Sequence, residues 1–107
     1  MVSTLDKVKR LEKYLASTNS TIDPVIETTL SKLLSREFNR LFELKTHLSN
    51  ELLEFEKHYN MKSNTFYQRF QAGELGDAMD FIEWAATIEM LANIDKELEL
   101  LEDSGAQ

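Results

Sequence analysis

The chain has 107 residues, a formal net charge of -7, three Gly, one Pro and no Cys. That is one domain's length; an all-β fold, with a turn every ~8–12 residues, would need more Gly and Pro, and the lack of cysteine excludes a disulfide scaffold, a zinc–thiolate site and thiol catalysis. Apolar runs are only a few residues long and the first residues lack a signal-peptide core, so the expectation is a cytoplasmic all-α protein with no membrane segment and no cofactor.

Four helices are expected, over about 4–16, 24–59, 63–72 and 78–102, in a single domain of residues 1–102 followed by a frayed tail at 103–107. Ser3 with Asp6 imitates a capping box, and Leu5, Val8, Leu11 and Leu15 recur at helical spacing. The polar run from Ser17 to Thr21 then breaks the first helix. Asp23 before Pro24 is a strong start signal, because aspartate caps free amides and proline suits the first helical position. After Pro24 no Gly or Pro occurs before Gly73, and Leu30, Leu34, Phe38, Leu41, Leu48, Leu52, Phe55 and Tyr59 fall at steps of three, four or seven. One helix about 50 Å long is implied.

Such a rod exceeds the roughly 26 Å width of a globule of this size. Its stripe needs cover from other helices. The third helix is short, with Gly73 placed for a left-handed cap and Gly76 for the turn before Asp77. Asp77 and Asp80 mark the start of the fourth, whose seam is Phe81, Trp84, Ile88, Leu91, Leu98 and Leu101, interrupted where Ile94 or Asp95 would face inward. The three-four spacing predicts an elongated, coiled-coil-like hairpin or bundle. Leu34, Phe38, Leu41, Leu48, Leu52, Phe55, Ile88 and Leu91 form the core or dimer seam, and a second subunit is expected to complete it.

Charge is uneven. Residues 1–22 carry a net +2, residues 23–60 a net -2 and residues 61–107 a net -7. An acidic last third repels nucleic-acid phosphates and attracts basic partners. Phe66, Tyr67, Phe70, Phe81 and Trp84 place half of the ten aromatics in nineteen residues. They form either a core knot or a groove that anchors a partner.

Candidate chemistry is sparse. Glu51 and Glu54 form one carboxylate pair at i,i+3, and Asp77 with Asp80, or Asp80 with Glu83, a second; two such pairs can clamp Mg²⁺ holding a triphosphate. In these carboxylates alone the chain resembles the MazG-like nucleotide pyrophosphohydrolases, with no neighbouring lysine or arginine as a phosphate clamp. A di-iron bundle needs Glu-x-x-His twice, whereas Glu43–His47 and Glu54–His58 are spaced i,i+4. Arg40 and His47 match the Arg-x4–6-His count of helical HEPN ribonucleases, but Leu41 follows the arginine where that family prefers a polar residue. No glycine-rich phosphate loop exists. Lys32, Arg36 and Arg40 step by four along one face, expected to be solvated or paired with acids such as Glu97, Glu99 or Glu102.

The run from His58 to Ala85, HYNMKSNTFYQRFQAGELGDAMDFIEWA, and the earlier DPVIETTLSKLL resemble small helical prokaryotic proteins of toxin–antitoxin gene pairs. The two segments span 40 of the 107 residues, and the resemblance implies an antitoxin-like subunit that wraps a small basic toxin. An acidic helical partner can occupy the phosphate track of an RNA-directed toxin by electrostatic complementarity. The expected function is therefore non-enzymatic protein binding, with Tyr67, Phe70 and Trp84 as anchors and Asp80, Glu83, Glu97 and Glu102 as charged contacts. The alternatives are a self-assembling adaptor homodimer, and the Mg²⁺-dependent pyrophosphohydrolase on Glu51, Glu54, Asp77 and Asp80.

Overall fold

The computed structural model describes residues 2–17 and 23–102, which form four helices and no strand: α1 (Thr4–Ser17), α2 (Pro24–Tyr59), α3 (Ser63–Gln71) and α4 (Met79–Leu101). The all-α expectation is met. Positions 18–21 of the expected break and the expected frayed tail at 103–107 lie outside the described residues.

Local chemistry sets the ends of the helices. The Asp6 N–H donates to Ser3 Oγ at 3.0 Å and the Ser3 N–H donates to Asp6 Oδ2 at 3.3 Å, closing the capping box that starts α1. α1 includes Ser17, whose hydroxyl donates to the Tyr14 carbonyl at 2.9 Å instead of breaking the helix. The Val25 N–H donates to Asp23 Oδ1 at 2.8 Å, and α2 then continues through 36 residues, about 54 Å at 1.5 Å per residue. It stops where Asn60 takes a positive φ and the Met61 N–H bonds back to the Glu56 carbonyl. α3 closes in the same way. Gly73 has φ +78, its N–H bonds the Phe70 carbonyl and the Glu74 N–H bonds the Arg69 carbonyl, which is the Schellman pattern.

The start of α4 departs from expectation. Its N-cap is Ala78, with no side-chain cap, so Asp77 does not cap it. The Ala78 carbonyl instead accepts from the N–H groups of Phe81 and Ile82. Asp80, in the first turn, supplies the negative charge that the positive end of the helix favours.

Two compact units divide the chain, Met1–Leu34 and Ser35–Gln107. In the first, none of the described residues is fully buried; Leu11, Leu15, Ile26 and Leu30 are half-buried, and Leu5, Val8, Val25 and Leu33 are exposed. In the second, the chain covers its own stripe. Tyr59 meets Asp80, Phe55 meets Trp84 and Lys45 meets Asp95, so partners climb α4 as they descend α2 and the two helices pack antiparallel. One cluster joins Leu41, Leu48, Ile94 and Leu98, with Phe38, Leu91 and Leu101 against it. A second joins Phe66, Trp84 and Ala85 with Leu52, Phe55, Tyr59, Phe70, Phe81 and Ile88 around them.

Seven of the eight predicted seam residues therefore lie in these clusters. The exception is Leu34, which is 52% exposed and is not a core residue. Because α3 and α4 bury the α2 stripe from Phe38 to Tyr59, a second subunit is not needed to complete that core. Ile94, not Asp95, faces inward; Asp95 reaches sideways to the Lys45 ammonium at 2.9 Å. Leu48→Ala should cost about 2–5 kcal/mol in urea-melt stability through the cavity it opens, while Leu34→Ala should change stability by less than about 0.5 kcal/mol.

Candidate functional site

The aromatic corner is built by the turn that sends α3 back across the end of α2. Trp84 and Phe66 are both 0% exposed, their rings stacked with centroids 3.9 Å apart. Phe55 stacks on the indole at 5.5 Å, Tyr59 lies at 5.7 Å, and Phe81 packs against both Tyr59 and Phe66. Aromatic rings bury large areas and favour such near-parallel or tilted contacts.

Burial of an indole requires a partner for its N–H. Trp84 Nε1–H donates to Ser63 Oγ at 2.9 Å, and Glu56 Oε2 accepts from the Ser63 N–H at 2.9 Å. The Ser63 hydroxyl, then its backbone N–H, hold the Glu56 carboxyl below the ordinary carboxylate range; burial opposes this and the Lys62 charge assists it. Glu56 thus takes the place of the side-chain cap that Lys62 does not supply at the start of α3. Two tyrosines complete the network. Tyr59 donates its hydroxyl to Asp80, and Tyr67 donates to Glu89 Oε2 at 2.8 Å. Each phenol is held above its ordinary pKa, first by that hydrogen bond, then by burial and by the carboxylate's charge.

This geometry corrects several expectations. Trp84 is a core residue and presents no exposed anchor. Phe70 is half-buried and stacked on Phe66 at 5.5 Å; Tyr67 is half-buried with its hydroxyl committed to Glu89. Asp80 is half-buried and accepts from Tyr59, whereas Glu83, Glu97 and Glu102 are exposed. The carboxylates of the pyrophosphohydrolase reading do not assemble: Glu51 pairs with His47 at 3.0 Å, Asp80 serves Tyr59, and no group of three metal-ligating side chains that includes Glu54 or Asp77 forms among the described residues. Arg40, the other half of the ribonuclease count, pairs with Glu37 at 3.2 Å. The basic stripe also pairs within α2, since Arg36 and Arg40 both bind Glu37 and neither reaches Glu97, Glu99 or Glu102.

An open groove of about 820 Å³ lies where α2 turns into α3, lined by Leu53, Glu54, Lys57, Asn60, Met61 and Lys62 among others. It holds both signs of charge and none of the predicted partner-binding residues.

The more distinctive surface is the back of α4. Its inner face is filled by Trp84, Ala85, Ile94 and Leu98, yet Met79, Ile82, Met90 and Leu100 stand 68%, 45%, 45% and 84% exposed on the other side. Residues 79, 82, 86, 90, 93, 97 and 100 follow steps of three and four, so these side chains share one stripe. Ala86, Asn93 and Glu97 complete it, and Glu83 and Glu89 stand on its two shoulders. The helix therefore carries apolar side chains on two faces and buries only one of them in its unit. This outer stripe was missed in the sequence because the inner seam already accounted for the apolar residues of α4; the spacing that reveals it was nonetheless present.

No protein-family model matches the chain, and neither a curated protein nor a solved structure does.

The hydrogen-bond network makes a pH-dependent prediction. Ser63→Ala leaves the buried indole N–H unpaired and should cost about 1–3 kcal/mol at neutral pH. A carboxylate held below its unfolded value, about 4.3, adds stability that is present above that value and is lost as pH falls through the folded one. Acid unfolding should therefore show a smaller stability loss through that range in Ser63→Ala than in the wild type, measured by urea melts at stepped pH.

Proposed function

We infer that this chain is a non-enzymatic protein-binding module of the antitoxin kind, which receives a basic partner protein on the outer face of α4. The observation that carries the reading is the exposed apolar stripe of Met79, Ile82, Met90 and Leu100 on a helix whose opposite face is already core. Protein interfaces combine such an apolar centre with a charged rim. The rim here is acidic: Glu83, Glu89, Glu97, Glu99 and Glu102 are exposed on α4 and at its end, against the single cation Lys96.

Charge selects the sign of the partner. A basic protein gains in encounter rate and orientation from this field, and a nucleic acid is repelled by it. The surface thus agrees with the acidic, toxin-masking role implied by the sequence resemblance, but it lies on Met79, Ile82 and Met90 with Glu83 and Glu97, not on the aromatic corner. Trp84 and Phe66 support it from behind by fixing α4.

A tagged chain isolated from its native host should retain a small basic protein in stoichiometric amount. Ile82→Glu with Met90→Glu should weaken that complex at least tenfold without loss of helicity, because both side chains are already exposed. If the co-isolated protein is a toxin, the double variant should also fail to relieve its effect on growth. Retention of the same partner at wild-type affinity by the folded double variant would contradict this assignment.

A further inference from the structure

α1 is the chemical complement of the α4 outer face. It carries Lys7, Lys9, Arg10 and Lys13 against Asp6 and Glu12, and none of its residues is buried. Leu5 and Val8 are 60% and 56% exposed although they share a stripe with the half-buried Leu11 and Leu15. At about 100° per residue, Lys7 and Lys9 stand on opposite shoulders of the Val8 position, as Glu83 and Glu89 stand on opposite shoulders of the Ala86 position. Paired helices use these shoulder positions to choose partner and orientation. Among the described residues neither lysine makes an ion pair and Glu83 makes none; Glu89 accepts only the Tyr67 hydroxyl.

We propose that α1 of one copy docks on the outer face of α4 of a second copy, and the reverse, to give a two-fold homodimer. Leu5 and Val8 meet the stripe of Ile82 and Met90, and Lys7 and Lys9 meet Glu83 and Glu89. Leu5 and Val8 on α1 and Ile82 and Met90 on α4 are exposed. Direct pairing of two α4 outer faces would instead set the glutamates of one against those of the other, at a cost from like-charge repulsion. A two-fold axis forms the α1–α4 contact twice, so the modest area of a 14-residue helix is doubled.

This inference rests on the reading of α4's outer face as a binding surface, and it adds that the homodimer occupies the face a basic partner takes. Partner binding then separates the two copies. Light scattering on the full chain should give twice 12.4 kDa at low ionic strength and a mass falling toward 12.4 kDa as salt rises. Lys7→Glu with Lys9→Glu should weaken the dimer at least tenfold, as should Glu83→Lys with Glu89→Lys. All four changes in one chain should restore it, because the charge pairs are then exchanged and not removed. Circular dichroism checks that each variant keeps its helicity. A monomeric wild type, a dimer indifferent to Lys7→Glu with Lys9→Glu, or a fourfold variant that stays monomeric while folded would each overturn the proposal. The two α1 changes leave the α4 surface intact. Loss of the dimer with partner capture retained therefore separates this inference from the assigned function, whereas Ile82→Glu with Met90→Glu removes both.

Discussion

The indole of Trp84 imposes the constraint on which the larger unit depends. Its ring must leave water and its N–H must not be left without an acceptor, and a single short helix meets both demands. α3 brings Phe66 face to face with the ring at 3.9 Å and brings Ser63 Oγ to the nitrogen at 2.9 Å. That arrangement is possible only if α2 stops at Tyr59 and turns at once, which the positive φ of Asn60 allows. Glu56 then binds the first N–H of α3 and ties the turn to the helix it has just left. Tyr59 to Asp80 and Tyr67 to Glu89 add links from α2 and α3 to α4, so the orientation of α4 follows from the corner as much as from the leucine cluster farther along.

A fixed α4 is what gives its outer face meaning. The inner face satisfies the core with Trp84, Ala85, Ile94 and Leu98; Met79, Ile82, Met90 and Leu100 then have no role in the fold of their own unit. Apolar side chains left in water on one stripe are a cost that burial against another surface removes, at roughly 25 cal/mol per Å². In the binding role proposed above, the exposed glutamates on both shoulders disfavour a second acidic helix and favour a basic one, whether on a foreign protein or on the α1 of another copy.

The limits of α2 were legible because Asp23-Pro24 and the unbroken run to Tyr59 leave little choice, and the Ser3–Asp6 box and Gly73 cap act over a few residues. The start of α4 was misread for the same local reasoning: Asp77 has the right chemistry for a cap, yet Ala78 occupies that position and Asp80 is drawn to a tyrosine 21 residues earlier. Such partners belong to tertiary structure and leave no spacing to read. Trp84 was ambiguous in sequence because an aromatic has the same composition in a core as in an interface; only its burial distinguishes the two. The back of α4 is a different case, since its three-four spacing was visible but overlapped with that of the inner seam.

Methionine methyl groups report on the two sides of this arrangement. Met79 and Met90 lie on the outer face of α4, while Met61 packs against the aromatic cluster. Methyl-¹³C-methionine spectra of the full chain carrying Lys7→Glu and Lys9→Glu, whose α4 face no second copy covers, recorded with a soluble paramagnetic agent before and after addition of the basic partner isolated with it, test the central claim directly. Signals of Met79 and Met90 should shift and become shielded from the agent while that of Met61 stays unchanged. A shift confined to Met61, with Met79 and Met90 as accessible as before, would contradict the assignment of the binding face to α4.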